Sequence, residues 1–283
     1  MFSGKIKAFI ELTRPPNGIL MFIAVLAGVA LSDTKNITLR EALLSLLTAY
    51  TLNGSSMGFN DYFDIEVDKV NAPTRPIPSG IISPEEAVIL SSILALIGVI
   101  SAALTSIGCL IVAVSSFLAA FLYNAKLKRL GILGNIVVSL VVAAPFIYGS
   151  VLSDGYISIR LLTFIAPVIL SNTGREVIKG ISDVEGDALR GVKSIARVHG
   201  RKTAGKLGAT LYILAVAISP LPYLLHLVSW LYIPIVAMAD VGFIYSAASI
   251  ARRPEESIAL RAKNQTLIWM LIALIAFIAG SLL

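Results

Sequence analysis

Acidic residues are scarce in this chain, and eight of its seventeen fall in two short segments. In the first segment, Asn60, Asp64 and Asp68 recur every four residues, with Asp61 beside them. Residues four apart lie on the same face of a helix, so this spacing predicts a row of oxygen ligands along one face. Carboxylates with an amide oxygen suit a hard divalent cation, and Mg²⁺ typically joins a few carboxylates to a substrate phosphate.

The second segment repeats the four-residue spacing with Asp183 and Asp187. Two acidic helix faces opening into one cavity would repel each other unless a cation lay between them. Basic residues that could neutralise phosphate oxygens flank or separate the two segments: Arg75, Lys126, Lys128, Arg175, Lys179 and Lys193. Taken alone, an Asp-rich turn is more often a solvated loop and a Lys-rich loop more often reflects membrane topology. The matched spacings at the ends of separate spans favour a metal–diphosphate site.

The elements that must position these residues are membrane spans. The chain has 283 residues, 57% hydrophobic and only 14% charged, with a mean hydropathy of +0.86. Stretches of about 20 apolar residues are long enough to cross a bilayer as helices. We therefore expect an all-α polytopic membrane protein, with nine transmembrane helices around a central cavity that opens near the cytoplasmic face. The predicted spans are 16–32, 40–59, 85–104, 107–124, 132–152, 160–178, 204–225, 228–250 and 265–283, in a single domain, 1–283.

The distribution of basic residues predicts the orientation of these spans. With nine spans and a cytoplasmic N-terminus, 20 of the 23 Lys and Arg residues lie on the cytoplasmic side, where such residues accumulate. The other side keeps Lys35, Arg40 and Arg160. We expect a multi-pass protein of the cell membrane with its active site toward the cytoplasmic face. The net charge of +6 then indicates contact with anionic membrane lipids and gives no reason to invoke nucleic acid.

The two acidic segments resemble the paired aspartate motifs of the UbiA superfamily of intramembrane prenyltransferases. Residues 60–68 fit its first motif, Asn-Asp-x-x-Asp-x-x-x-Asp, and residues 183–187 fit its second, Asp-x-x-x-Asp. The Arg14-Pro15 pair with Asn17 resembles the entry to the first span of that family. The stretch from Tyr123 to Lys128 resembles its Tyr- and Lys-bearing turn. The resemblance covers essentially the whole chain.

The resemblance implies a role for each motif residue. The implied Mg²⁺ ligands are Asn60, Asp64 and Asp68 for one ion and Asp183 with Asp187 for a second. The implied catalytic residues are Asp61, Asp64, Asp68, Asp183 and Asp187, where Asp61 either supports the ligands or helps to remove the acceptor proton. The implied substrate-binding residues are Arg14, Asn17, Arg75, Tyr123, Lys126, Lys128, Arg175, Lys179 and Lys193. Among these, Arg14, Arg175 and Lys179 are candidates for an acceptor phosphate.

Within the superfamily, Arg175-Glu176-x-x-Lys179 before the second motif resembles most the archaeal ether-lipid branch. That branch implies transfer from geranylgeranyl diphosphate to the hydroxyl of a lipid-phosphate acceptor, geranylgeranylglyceryl phosphate. One departure concerns position 180, where relatives often carry a further Asp and this chain has Gly180. Two alternatives remain: a prenyltransferase acting on an aromatic acceptor such as hydroxybenzoate or naphthoate, and a secondary transporter. Transporters tend to bind ions near the bilayer midplane, whereas these acids are predicted at one membrane edge.

Overall fold

A computed structural model describes residues 2–189 and 191–282 of the protein. All the regular structure in these residues is helical, which confirms the predicted all-α class. In chain order the helices are α1 (Phe2–Thr13), α2 (Pro15–Ala30), α3 (Leu39–Phe63), α4 (Ile65–Asn71), α5 (Pro84–Thr105), α6 (Ile107–Ala125), α7 (Ile132–Asp154), α8 (Ile159–Ser182), α9 (Val184–Leu189), α10 (Ile195–His199), α11 (Arg201–Ile218), α12 (Leu221–Leu224), α13 (Tyr232–Arg252) and α14 (Glu256–Leu282). A 3₁₀ turn covers Leu127–Leu130. Arg190, counted among the cytoplasmic basic residues, lies outside the described residues.

Eight helical stretches of the described chain are long and apolar enough to cross a membrane. The first and last begin at Gly4 and Glu256, earlier than the predicted 16 and 265. These earlier starts arise because hydropathy locates the hydrocarbon core, whereas a helix can continue through charged residues into the headgroup region. The eight stretches make this a multi-pass membrane protein, and the predicted count of nine is reached only if α3 also spans.

Helix α3 is long enough to be the ninth span but more polar than the others. Its 25 residues extend over about 37 Å at the helical rise per residue. Three of its buried hydroxyls are satisfied within the protein: the Ser45 and Thr51 hydroxyls donate to carbonyls one turn earlier, and Ser55 Oγ donates to the Ser91 carbonyl at 2.7 Å. The Nδ2 of Asn53 in the same helix is buried without a partner. Because the bilayer cannot satisfy polar groups, internal pairing of these hydroxyls lowers the cost that α3 would pay if it crossed the membrane.

The chain divides into two compact units, of which the first comprises Met1–Val29, Thr34–Lys126 and Ala144–Tyr156. Within it, α3 packs closely on α5, since a Cβ on Gly58 would lie 2.1 Å from Ser91 Oγ. The loop after α4 folds back onto α1, where Ile77 and Ile82 are buried with Leu12. This packing fixes the loop that carries Arg75.

The second unit comprises Ala30–Asp33, Leu127–Ala143 and Ile157–Leu283. Helix α8 packs on α11 through two glycines, because a Cβ on Gly174 would lie 3.1 Å from the Gly208 carbonyl oxygen. The core around this contact includes Ile178, Ile181 and Tyr212, all fully buried. The C-terminal end of α8, which leads into the second aspartate motif, is therefore held rigidly.

Candidate active site

The first motif lies where α3 ends and α4 begins, and Asp64 is the residue at the break. Backbone hydrogen bonds continue across the break, from Asp64 N–H to the Asn60 carbonyl (3.0 Å) and from Asp68 N–H to the Asp64 carbonyl (2.8 Å). The predicted four-residue spacing therefore remains one helical turn per step. Asp61, Asp64 and Asp68 are all buried, with exposed fractions of 3%, 9% and 3%.

Two arginines of the first unit lie among these carboxylates. Arg14 donates to Asp61 Oδ1 at 2.6 Å, and Arg75 donates to Asp68 Oδ2 at 2.6 Å. The guanidinium of Arg75 also lies 3.7 Å from Asp61 Oδ1. Burial tends to lower the pKa of Arg75, but the hydrogen bond to Asp68 and the charges of Asp68, Asp61 and Asp64 outweigh it and raise that pKa. Arg75 is thus a fixed positive charge beside a predicted metal ligand.

Arg14 also determines the path of the chain at the start of the first span. Its backbone is left-handed (φ 48°), which separates α1 from α2. That conformation costs a non-glycine residue roughly 1–2 kcal/mol. The ion pair with Asp61 and a 3.1 Å contact to Met57 Sδ hold the residue in place.

The remaining predicted residues of the first unit have different surroundings. Asn17 lies in the first turn of α2, where its N–H donates to the Arg14 carbonyl. Tyr123 is half-buried near the end of α6, and Lys126 is exposed at the cap of that helix. Between them, Asn124 is buried and donates to the Ser56 carbonyl of α3 at 3.3 Å. The end of α6 is thereby tied to the helix that carries the first motif.

The second motif repeats the construction of the first. Helix α8 ends at Ser182, Asp183 is the residue at the break, and α9 follows. Asp183 N–H donates to the Lys179 carbonyl (3.2 Å), and Asp187 N–H donates to the Asp183 carbonyl (2.7 Å). In both motifs an aspartate at a helix break is therefore followed, one turn later, by a second aspartate. The Asp183 side chain accepts a hydrogen bond from Ser182 Oγ at 3.1 Å.

The basic residues of the second unit form two groups. Arg175 and Lys179 share one carboxylate, since both donate to Glu176, at 2.7 and 3.3 Å. Lys193 lies on a segment whose backbone contacts the turn that carries Lys128, through a 3.1 Å bond from Lys193 N–H to the Arg129 carbonyl. The fold thus brings together two lysine-bearing segments far apart in sequence. Glu176 joins Arg175 to Lys179, a role that the spacing of the motif residues did not predict.

Within the described part of the chain, no three Asp, Glu, His or Cys side chains lie close enough together to hold a metal ion by themselves. Mg²⁺ does not require such a cage, because it is usually bound by one or two carboxylates together with water and substrate phosphates. The donors present are hard oxygens, and Ser194 adds a buried hydroxyl that has no hydrogen-bond partner. The residues therefore fit Mg²⁺.

Comparison with known proteins identifies the family. The model of the UbiA prenyltransferase family matches residues 21–275 of this chain. The chain belongs to the UbiA prenyltransferase family. This confirms the resemblance seen in the motifs and excludes the secondary transporter. The protein is accordingly a prenyltransferase.

Individual UbiA-family relatives match over nearly the full length. The chain is 38% identical over 280 residues to the digeranylgeranylglyceryl phosphate synthase of Archaeoglobus fulgidus, covering 98% of this chain and 96% of the relative. It also matches a solved structure from work on digeranylgeranylglyceryl phosphate synthase in membranes, with a TM-score of 0.85, 33% identity and 98% of both chains covered. A UbiA homologue from Archaeoglobus fulgidus, solved with GPP and Mg²⁺, shares the fold at a TM-score of 0.71 and 17% identity, covering 95% of this chain and 99% of that one.

Proposed function

We propose that this protein is a digeranylgeranylglyceryl phosphate synthase that requires Mg²⁺. It transfers the geranylgeranyl group of geranylgeranyl diphosphate to the free hydroxyl of geranylgeranylglyceryl phosphate and releases diphosphate. The observation that carries this proposal is the 38% identity with a synthase of that name over 98% of this chain. The repeated pairs of aspartates at helix breaks support it independently.

In this reaction the bond between the allylic carbon and the diphosphate oxygen breaks, and the acceptor hydroxyl oxygen bonds to that carbon. The hydroxyl proton leaves with the released diphosphate or with solvent. Asn60, Asp64 and Asp68 would hold one Mg²⁺, and Asp183 with Asp187 a second. Bound Mg²⁺ supplies positive charge to the leaving diphosphate.

The chain's own cations act on the same leaving group. Arg75, Lys126, Lys128 and Lys193 neutralise the negative charge that develops on the diphosphate as the bond breaks. Fixed charges aimed at a developing charge stabilise the transition state, and in many enzymes they lower the activation barrier more than any other effect. Arg75 is well suited because its carboxylate partners favour its charged form.

Two predicted residues receive narrower roles. Asp61 supports the site, because its carboxylate already accepts from Arg14 and lies 3.7 Å from Arg75. For the acceptor phosphate, Arg175 and Lys179 fit better than Arg14. These two cations share a single carboxylate and keep a net positive charge, whereas Arg14 is paired with Asp61.

The orientation is part of the proposal: the N-terminus and both motifs face the cytoplasm. This orientation puts 20 of the 23 Lys and Arg residues on the cytoplasmic side, where such residues accumulate. The acceptor headgroup and the donor diphosphate would then reach the site from the cytoplasmic membrane surface while their chains remain in lipid.

The direct test is transfer by the purified protein. Radiolabelled geranylgeranyl diphosphate and Mg²⁺ are offered with either geranylgeranylglyceryl phosphate or 4-hydroxybenzoate. We expect label in the lipid phosphate only, and EDTA should abolish it. Label in the aromatic acid alone would replace this proposal by an aromatic prenyltransferase. Asp187→Ala should abolish transfer, while Glu185→Gln, an exposed acid of the same motif, should retain it.

A further inference from the structure

Ser194 is a buried hydroxyl with an unusual environment. It occupies the N-cap position of α10, where a serine side chain normally accepts a hydrogen bond from the helix backbone. Here the side chain forms no such bond. Ser194 is only 8% exposed, and its Oγ has no hydrogen-bond partner. A buried hydroxyl without a partner costs about 1–3 kcal/mol, so this position is costly unless a ligand completes it.

The hydroxyl of Ser194 lies next to the second motif, on the side left open by Gly180. A Cβ placed on Gly180 would lie 3.3 Å from Ser194 Cβ, 3.6 Å from Ser194 Oγ and 3.9 Å from Asp187 Oδ2. The missing side chain at position 180, the serine hydroxyl and a predicted metal ligand therefore border one small space. A carboxylate at position 180 would crowd Ser194, so the glycine at this position leaves room for the Ser194 hydroxyl.

We propose that the Ser194 hydroxyl is a further oxygen ligand, direct or through one water, of the divalent cation held by Asp183 and Asp187. This inference rests on the proposed metal site and extends it. A neutral hydroxyl in place of a third carboxylate keeps the ligand an oxygen while lowering the negative charge of the site. Hard cations such as Mg²⁺ accept such oxygens.

The test measures metal binding rather than turnover. In an Asp64→Asn/Asp68→Asn background, which removes the first motif's carboxylates, Mn²⁺ binding is titrated in detergent for the parent and for Ser194→Ala. We expect Ser194→Ala to raise the Kd by about tenfold, the lower end of the range for supporting metal partners. The metal-free variant should melt at the same temperature as its parent or higher, because it loses an unsatisfied hydroxyl. A purely structural serine would instead lower the melting temperature and leave the Kd unchanged.

Ser194→Cys tests direct contact. Thiolate is a soft ligand, so this variant should lose affinity for Mg²⁺ and gain about tenfold or more for Cd²⁺. Ser229→Ala and Ser229→Cys are matched controls. Ser229 Oγ is also buried without a partner, but Ser229 lies beyond the other end of α11. These controls should leave both metal affinities unchanged.

Two results separate the possible failures. If the parent binds Mn²⁺ and neither Ser194 variant changes any metal affinity, Ser194 is not a ligand and only this inference is overturned. If the parent binds no divalent cation, with or without inorganic diphosphate, the second motif is not a metal site. The proposed function then loses its metal assignment as well.

Discussion

The ion pair between Arg14 and Asp61 allows a quantitative test of how the first motif is held in place. A guanidinium nitrogen of Arg14 lies 2.6 Å from Asp61 Oδ1. The Asp61 side chain is 4% exposed and the Arg14 side chain 31% exposed. Breaking a fully buried pair costs about 3–5 kcal/mol, and a charge-assisted hydrogen bond contributes about 1.5–3 kcal/mol. Because the Arg14 end is partly hydrated, we expect Asp61→Asn to lower the free energy of unfolding by about 2 kcal/mol.

A double-mutant cycle isolates the interaction. Asp61→Asn, Arg14→Gln and the double variant are unfolded in mixed detergent, and the four free energies of unfolding give the coupling. We expect a coupling free energy of about 1.5–2 kcal/mol, because the double variant leaves neither charge of this pair without its partner.

The Lys5–Glu86 pair is the matched control, because its atoms are 2.7 Å apart but its side chains are 51% and 38% exposed. Solvent screens such pairs, so this second cycle should show no measurable coupling. If the loss of unfolding free energy in the double variant equals the sum of the two single losses to within about 0.5 kcal/mol, burial does not strengthen this contact. The supporting role of Asp61 would then be wrong.

Three further predictions follow from the same site and its packing. Asp64→Ala should reduce Mg²⁺-dependent transfer by at least about 100-fold without changing the melting temperature, whereas Glu66→Gln, exposed in the same motif, should retain transfer in the radiolabel assay. Arg75→Gln should tighten Mg²⁺ binding measured calorimetrically without diphosphate, because the guanidinium competes for a ligand carboxylate; unchanged or weaker binding would contradict this. Gly149→Val should destabilise the protein by about 2–3 kcal/mol, since a Cβ there would lie 2.0 Å from a backbone carbonyl oxygen of α2; Gly4→Ala, with open space around it, should be neutral in the same unfolding measurement.

The aspartate motifs were predictable because their chemistry depends only on the spacing of residues that are close in sequence. A four-residue interval places side chains on one helix face whatever the surrounding fold. The helix breaks at Asp64 and Asp183 shift the backbone without disturbing that interval, because the hydrogen bonds to the residues one turn earlier persist. The spans were predictable for a similar reason, since hydropathy reflects the transfer of each segment into lipid.

Partners distant in sequence were not predictable. Arg14 was predicted as a candidate for the acceptor phosphate, and no local spacing indicated its ion pair with Asp61, 47 residues away. The span 40–59 was predicted and corresponds to α3, but its packing was not. The Ser55 hydroxyl finds its partner, the Ser91 carbonyl, only because α3 packs on α5.

By itself, then, the sequence determined the all-helical membrane class, the UbiA resemblance and the positions of the two carboxylate motifs. Each of these depends on hydropathy or on the fixed period of a helix. The tertiary structure decided which charges are compensated and which polar atoms remain unsatisfied. Arg14 pairs with Asp61, and the Lys193 N–H reaches the Arg129 carbonyl, only because segments far apart in the chain pack together. Burial and contact between such segments are properties of the folded chain, and no local pattern encodes them.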